Sequence, residues 1–133
     1  MFIDRLVNQT NAPLVERVVK FAAARHRLIA ENMANVDTPG YRQKDLSAAK
    51  FYSLLNDKVR EKKASAPGTT TFDDIDLNVD HPTASILFHD GNNRSMEQLA
   101  ADQAKNGMLY MTAIELLKKQ YGAMEMALKE RIA

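Results

Sequence analysis

A turn signal near residue 40 divides the chain, and the residues before it have the pattern of one long helix. Apolar residues at steps of three and four predict this helix over 13–34, with a proline in its first turn where a missing N–H does no harm. The run Thr38-Pro39-Gly40-Tyr41 follows. Proline fixes its own φ, and glycine accepts positive φ without penalty. We therefore predict a type II turn, at which the chain stops being helical and changes direction.

A second long helix is predicted over 95–132. Ser95, followed three residues later by Gln98, has the form of a capping box. One side of this helix repeats in steps of four and three for about four heptads, which is close to the threshold for a coiled coil. Glutamine and asparagine in such a seam fix register or partner at a cost in stability. The predicted helix-packing seam consists of Leu99, Gln103, Asn106, Tyr110, Ala113, Leu117, Gln120 and Met124.

The residues between the two helices carry weaker signals. A helical pattern begins at Asp45 and ends in the charged run 58–63, and the composition of 64–71 is that of a linker. Partial alternation over 72–80 indicates one short strand, for which 85–88 is a candidate partner.

The predicted fold class is mainly α. Long N-terminal and C-terminal helices pack as an antiparallel-type coiled coil, and a middle segment contributes one short helix, loops and up to two short strands. We expect a single domain in which 1–44 and 90–133 form a paired helical core and 45–89 an irregular middle segment. A short amphipathic helix is expected within 1–11, ahead of the first long one.

Composition excludes several classes of partner. Eighteen basic residues against seventeen acidic ones give no field that would attract nucleic acid or an anionic membrane. No window approaches the roughly 18 apolar residues that a membrane span needs, so no direct membrane insertion is expected. The chain has no cysteine, which excludes disulfides and thiolate ligands. The N-terminal residues lack the pattern of a cleaved secretory signal.

The candidate chemical groups do not combine into a reactive site. His26 lies between two arginines, whose charge disfavours a bound cation. His81 and His89 lie near aspartates, but their spacing matches no fixed metal motif. The acidic run 73–80 lacks the glycine and closing glutamate of an EF-hand loop. The sequence therefore predicts no catalytic residue, no cofactor and no metal, and the protein is not expected to be an enzyme.

The turn also carries a family resemblance. The residues Ala34-Asn35-Val36-Asp37-Thr38-Pro39-Gly40-Tyr41-Arg42 resemble the signature near the N-terminus of bacterial flagellar rod and hook axial proteins. The chain length and the segment 90–93 before the last helix look most like the proximal-rod subgroup. Arg94 departs from the family pattern, which usually has an apolar residue there. The assembly motif implied by the resemblance consists of Asn32, Ala34, Asn35, Thr38, Pro39, Gly40, Tyr41 and Arg42.

The resemblance implies a structural subunit of the flagellar basal-body rod. Such a subunit polymerises through its terminal helices into the helical tube that transmits torque and forms the export channel. The implied partners are copies of itself, other rod proteins, the basal-body membrane ring with its rod adaptor, and the flagellar type III export apparatus. The implied location is the rod on the periplasmic side, reached without a cleaved signal peptide.

The alternative is a small self-contained helical adaptor or ligand-binding bundle, which would fold alone to a monomer or dimer. A rod subunit is instead expected to leave its terminal helices poorly ordered until neighbours bury them.

Overall fold

The computed structural model describes residues 2–75, 79–80 and 96–132. Within these residues the chain is mainly helical, which confirms the predicted fold class. The elements are α1 (Phe2–Gln9), α2 (Ala12–Ala34), β1 (Asp45–Leu46), α3 (Ala48–Ala64), β2 (Val79–Asp80) and α4 (Met96–Ile132).

Helices α2 and α4 form the main helix pair. On α4, Asn106 donates from Nδ2 to the backbone oxygen of Ala22 at 2.7 Å, and both residues are buried. Burial recurs at steps of seven residues on both helices. The residues concerned are Leu99 and Ala113 on α4 and Val15 and Ile29 on α2. The charge of Asp102, four residues before Asn106, raises the pKa of Arg25, which lies three residues after Ala22. Earlier positions on α4 therefore face later positions on α2. The two helices therefore run antiparallel with heptad spacing, as in a coiled coil.

A second flank of α2 packs on the hydrophobic core. Phe21 of α2 stacks on Phe51 of α3, with ring centroids 4.1 Å apart and planes 8° from parallel. Fully burying one such side chain contributes about 1.5–3 kcal/mol. The buried cluster consists of Phe21, Leu46, Phe51, Leu55, Phe72 and Ile75. Helix α2 thus lies between α4 and a second layer made by α3 and the segment that follows it.

The predicted start of the second helix at Asp45 is wrong. Asp45 and Leu46 form β1, which pairs antiparallel with β2, so that Leu46 lies opposite Val79. Helix α3 begins only at Ala48, because Ser47 is its N-cap and accepts a hydrogen bond from a backbone N–H of the first turn. The helix was predicted to end in the charged run 58–63, and it continues through that run to Ala64.

The strand predicted over 72–80 is also too long. Within the part of this run that the structure describes, only 79–80 is strand, and its partner is β1. Phe72 and Ile75, which are three residues apart, turn into the core instead. The proposed partner 85–88 lies outside the described residues, as do His81, His89 and Ser95.

The segment predicted as a linker contains a packed turn. The backbone N–H of Thr69 donates to the oxygen of Ala66 at 3.3 Å, and Gly68 has φ +81°. Proline at the second position and a glycine with positive φ at the third are the features of a type II turn. The chain therefore has two Pro-Gly turns of the same type.

Candidate assembly surfaces

The predicted turn after α2 is confirmed as type II. The N–H of Tyr41 donates to the oxygen of Thr38 at 3.2 Å, and Gly40 has φ +74°. A Cβ added to Gly40 would meet no atom within 4 Å, so the glycine is required by its backbone angle alone.

Asn35 ends α2 and ties it to the turn. Its Nδ2 donates to the oxygen of Glu31 at 2.8 Å, and that oxygen also accepts the backbone N–H of Asn35 at 3.1 Å. Its own backbone oxygen accepts the N–H of Thr38 at 3.0 Å, and the hydroxyl of Thr38 donates to Oδ1 at 3.3 Å. These hydrogen bonds therefore hold the chain in the turn, in addition to the restriction that Pro39 places on its own φ.

Asn32 fastens the far side of the turn to α2. Its side chain is fully buried. Nδ2 donates to the oxygen of Lys44 at 2.6 Å, while Oδ1 accepts the N–H of Lys44 at 3.0 Å. The hydroxyl of Tyr41 also donates to Oδ1, at 3.3 Å. Desolvation, followed by the charge of Glu31, raises the pKa of Tyr41, so this hydroxyl remains a donor at neutral pH.

The motif residues thus divide into two groups. Asn32, Asn35 and Tyr41 are buried or half-buried and, together with the exposed Thr38, make the hydrogen bonds that shape the turn. The remaining motif residues form the exposed tip of the turn and its flanks: Ala34, Thr38, Pro39, Gly40 and Arg42. The turn is therefore a fixed element that presents a small exposed surface.

A partly buried ion pair that the sequence did not reveal orients the strand after the turn. Arg25 donates from Nε and one terminal nitrogen to the two carboxylate oxygens of Asp45, at 2.9 and 3.1 Å. These hydrogen bonds raise the pKa of Arg25, and the charge of Asp102 on α4 adds to the effect. A two-point pair of this kind fixes direction as well as distance. Nothing local in the sequence links positions twenty residues apart, so the pairing follows only once the turn is known.

The structure brings only part of the predicted seam against α2. Leu99, Asn106 and Ala113 are buried in the helix pair, and Gln103 is half-buried beside them, whereas Tyr110 is exposed. The remaining seam residues, all half-buried, are Leu117, Gln120 and Met124. With Asn106 opposite Ala22, the first residue of α2 lies opposite residue 116. Beyond that point α4 continues past the end of α2.

We call residues 116–132 the overhang of α4. At 1.5 Å per residue it extends for roughly 25 Å. Several large apolar side chains on it are exposed: Leu116 (49%), Tyr121 (43%), Met126 (64%) and Leu128 (47%). Single exposed apolar residues are ordinary, whereas a contiguous exposed apolar patch marks an interaction surface.

The acidic run is engaged with cations of its own chain where the structure describes it. Asp73 pairs with Arg17 at 2.8 Å, and Asp74 pairs with Lys58 at 2.7 Å. The bonded lysine lowers the pKa of Asp74. Over the described ranges, no three histidine or acidic side chains cluster as a metal site would require. In the same ranges no helix is long and apolar enough to cross a membrane.

The fold and these surfaces define an elongated helical protein: two long helices pair, a fixed turn follows the first, and the second extends past the end of the first. No family model matches the chain. It is similar to the flagellar basal body rod protein FlgB of Yersinia enterocolitica, with 27% identity over 127 residues, 86% of this chain and 90% of the relative. The FlgB proteins of Yersinia ruckeri and Salmonella typhimurium are 24% and 26% identical and cover 86% and 82% of the chain.

These relatives carry one name and align along most of the chain. They support a rod protein of the FlgB type, which confirms the resemblance read from the turn motif. The similarity supports a structural subunit of the flagellar basal-body rod, and it implies assembly with other components of the basal body.

Proposed function

We propose that this chain polymerises through its terminal helices into the helical tube of the rod, which transmits torque and encloses the export channel. The observation that carries the proposal is the overhang. Leu116 and Leu128 expose about half of their surface, on a helix whose N-terminal half is buried against α2. A head-to-tail contact that does not close into a ring generates a tube or filament. Apolar side chains at one end of an elongated subunit suit such a contact.

The proposed partners are further copies of the chain, other rod proteins, and the membrane ring with its rod adaptor. We propose transport to the periplasmic side through the type III export apparatus without a cleaved signal. The assembly motif and the helix-packing seam would supply the contacts, and 1–44 together with 90–133 would form the helical core domain around the middle segment 45–89. The FlgB similarity supports these assignments, and the fixed, exposed turn tip is consistent with a contact surface.

The proposal is tested by placing one charge on the overhang. Leu116→Glu and Leu128→Glu, made separately, should leave the isolated chain folded, because both side chains are already exposed. Each should abolish incorporation into rods and motility when it replaces the normal chain, since a buried unpaired carboxylate in a subunit contact is strongly unfavourable. Leu54→Glu on α3 is the matched control, because Leu54 is exposed to a similar extent (42%) outside the terminal helices.

Normal motility in both overhang variants would contradict the proposal and favour the alternative of a self-contained helical adaptor. Loss of motility in the Leu54→Glu control as well would show that the effect is not specific to the terminal helices. Circular dichroism and urea unfolding of each purified variant separate a folding defect from an assembly defect.

A further inference from the structure

Asn106 is a buried polar side chain in the middle of the contact between α2 and α4. Its exposed fraction is 2%, and its Nδ2 donates to the backbone oxygen of Ala22 at 2.7 Å. Its Oδ1 is also buried and has no hydrogen-bond partner among the described residues. A buried acceptor without a partner is unfavourable, and an apolar residue of similar shape would avoid that penalty. Stability alone therefore does not explain an asparagine at this position.

The hydrogen bond from Asn106 depends on the small side chain that it meets. A carbonyl oxygen within a helix has a second lone pair, but a side chain reaches it only where the helix backbone is uncovered. Ala22 is fully buried and covers its backbone with a single methyl group. One heptad away in either direction α2 has the β-branched residues Val15 and Ile29, which cover the backbone more fully. Of these three positions, Ala22 is the one that accommodates the asparagine.

This contact determines which residues of the two helices lie opposite each other. Because the helices are antiparallel, a step of seven residues forward on α4 corresponds to a step of seven residues back on α2. The pairs that follow from Asn106 opposite Ala22, all of them buried, are Leu99 with Ile29 and Ala113 with Val15. We call this arrangement the observed register.

A shift of α4 by one heptad would retain the seam but lose the hydrogen bond. In this slipped register residue 113 lies opposite Ala22, and Asn106 lies opposite Ile29. The first residue of α2 would lie opposite residue 123 instead of residue 116, so the overhang would be seven residues, about 10 Å, shorter. The covalent chain permits such a shift, because residues 81–95, which connect β2 to α4, could span roughly 50 Å.

We propose that Asn106 is the residue that sets the register of α4 on α2, and that it thereby fixes the length of the overhang. A single buried asparagine in a coiled-coil seam specifies register at a cost in stability. Gln103, one turn earlier, does not have this role, because its side-chain oxygen is buried without a partner among the described residues. The register is a property of the single chain, and only its consequence for assembly rests on the proposed function.

Two cysteine pairs distinguish the two registers. The chain has no cysteine, so each pair gives one unambiguous bond. Val15→Cys with Ala113→Cys reports the observed register, and Val15→Cys with Gln120→Cys reports the slipped register. The two positions on α4 are about 10 Å apart, whereas a disulfide requires Cα atoms closer than about 7 Å. The bonds are formed at low protein concentration, and non-reducing electrophoresis separates bonds within a chain from bonds between chains.

Three variants are compared in the slipped-register pair. Asn106→Leu should raise the yield of its bond on the order of tenfold, because it removes the hydrogen bond to Ala22 and gives the slipped register a leucine opposite Ile29. Gln103→Leu is the matched control, since it also replaces a side-chain amide of the seam by leucine, and it should leave the yield unchanged. Asn106→Leu combined with Ala113→Asn moves the asparagine by one heptad and should make the slipped-register bond the main product.

The proposal is overturned if the slipped-register bond within the chain increases neither in Asn106→Leu nor in the combined variant, whether or not these variants fold. It is also overturned if Gln103→Leu raises the yield as much as Asn106→Leu does. The observed-register pair, tested without further substitutions, should oxidise almost completely, and failure of that bond would contradict the register itself. All of these bonds are measured in the purified monomer, so their outcome is independent of the motility assay that tests polymerisation.

Discussion

Asn32→Ala should destabilise the chain far more than its small change in volume would imply. Asn32 joins α2 to the segment after the turn through two hydrogen bonds with the backbone of Lys44 and one from the hydroxyl of Tyr41. Alanine removes all three at once. It also leaves the N–H and oxygen of Lys44 facing a helix that offers them no partner, because the helical backbone is already paired.

The size of the effect follows from those contacts. A hydrogen bond contributes about 0.5–1.5 kcal/mol net, and a polar group left buried without a partner costs about 1–3 kcal/mol. The two bonds to Lys44, at 2.6 and 3.0 Å, have good lengths and the side chain is fully buried, whereas the Tyr41 bond, at 3.3 Å, is weak. Lys44 is half-buried, so water can replace part of the loss. We expect a decrease of about 2–4 kcal/mol in the free energy of unfolding, from a typical total of about 5–15 kcal/mol.

Urea unfolding followed by circular dichroism measures this difference. With a slope of about 1–3 kcal/mol per molar urea, the midpoint should fall by about 1–2 M. Two controls separate the contributions. Tyr41→Phe removes only the weak bond, and Asn35→Ala removes bonds at an exposed helix end, so each should cost about 1 kcal/mol or less. If Asn32→Ala unfolded within about 0.5 kcal/mol of the parent, the turn would not depend on this side chain.

Three further predictions rest on other contacts. Ala22→Leu should lower the free energy of unfolding by about 1–3 kcal/mol in thermal melts, because α4 packs on this fully buried alanine, whereas Ala23→Leu, on an exposed position, should be nearly neutral. Asp45→Asn should cost about 1–3 kcal/mol in urea unfolding, since it weakens a two-point ion pair and leaves its partly buried cation unmatched. The pKa of Asp74 is lowered by the bonded Lys58, so its contribution is present above the unfolded-state pKa of about 4 and is lost as pH falls through the lower folded value. The dependence of stability on acid pH should therefore be flatter in an Asp74→Asn variant, and an unchanged curve would contradict the assignment.

The turn and the long helices could be predicted because their causes are local. Pro39 and Gly40 restrict their own backbone angles, and no distant residue is needed to place the turn. Helix α2 was predicted over 13–34 and spans Ala12–Ala34, while α4 was predicted over 95–132 and spans Met96–Ile132. Apolar residues that recur at steps of three and four over twenty or more residues indicate a helix and not a strand or loop.

The middle of the chain was misread because contacts distant in sequence decide it. Asp45 begins a helical pattern in sequence, but its carboxylate bonds Arg25 and its backbone pairs with β2. Phe72 and Ile75 fit a strand by alternation, yet they enter the core beside α3. Neither conformation can be predicted from the local sequence, because each depends on which elements the turn after α2 brings together.

The predicted seam of α4 is longer than the helix it meets. Its heptad pattern continues to Met124 without a break, although α2 begins opposite residue 116. We propose that the overhang keeps this pattern for contacts with neighbouring subunits. Helix α2, in contrast, is buried on two flanks, by α4 and by the layer that contains Phe51 and Phe72. The expectation that both terminal helices gain order from neighbours therefore applies best to α1 and the overhang, while α2 has within the single chain the contacts that would keep it folded.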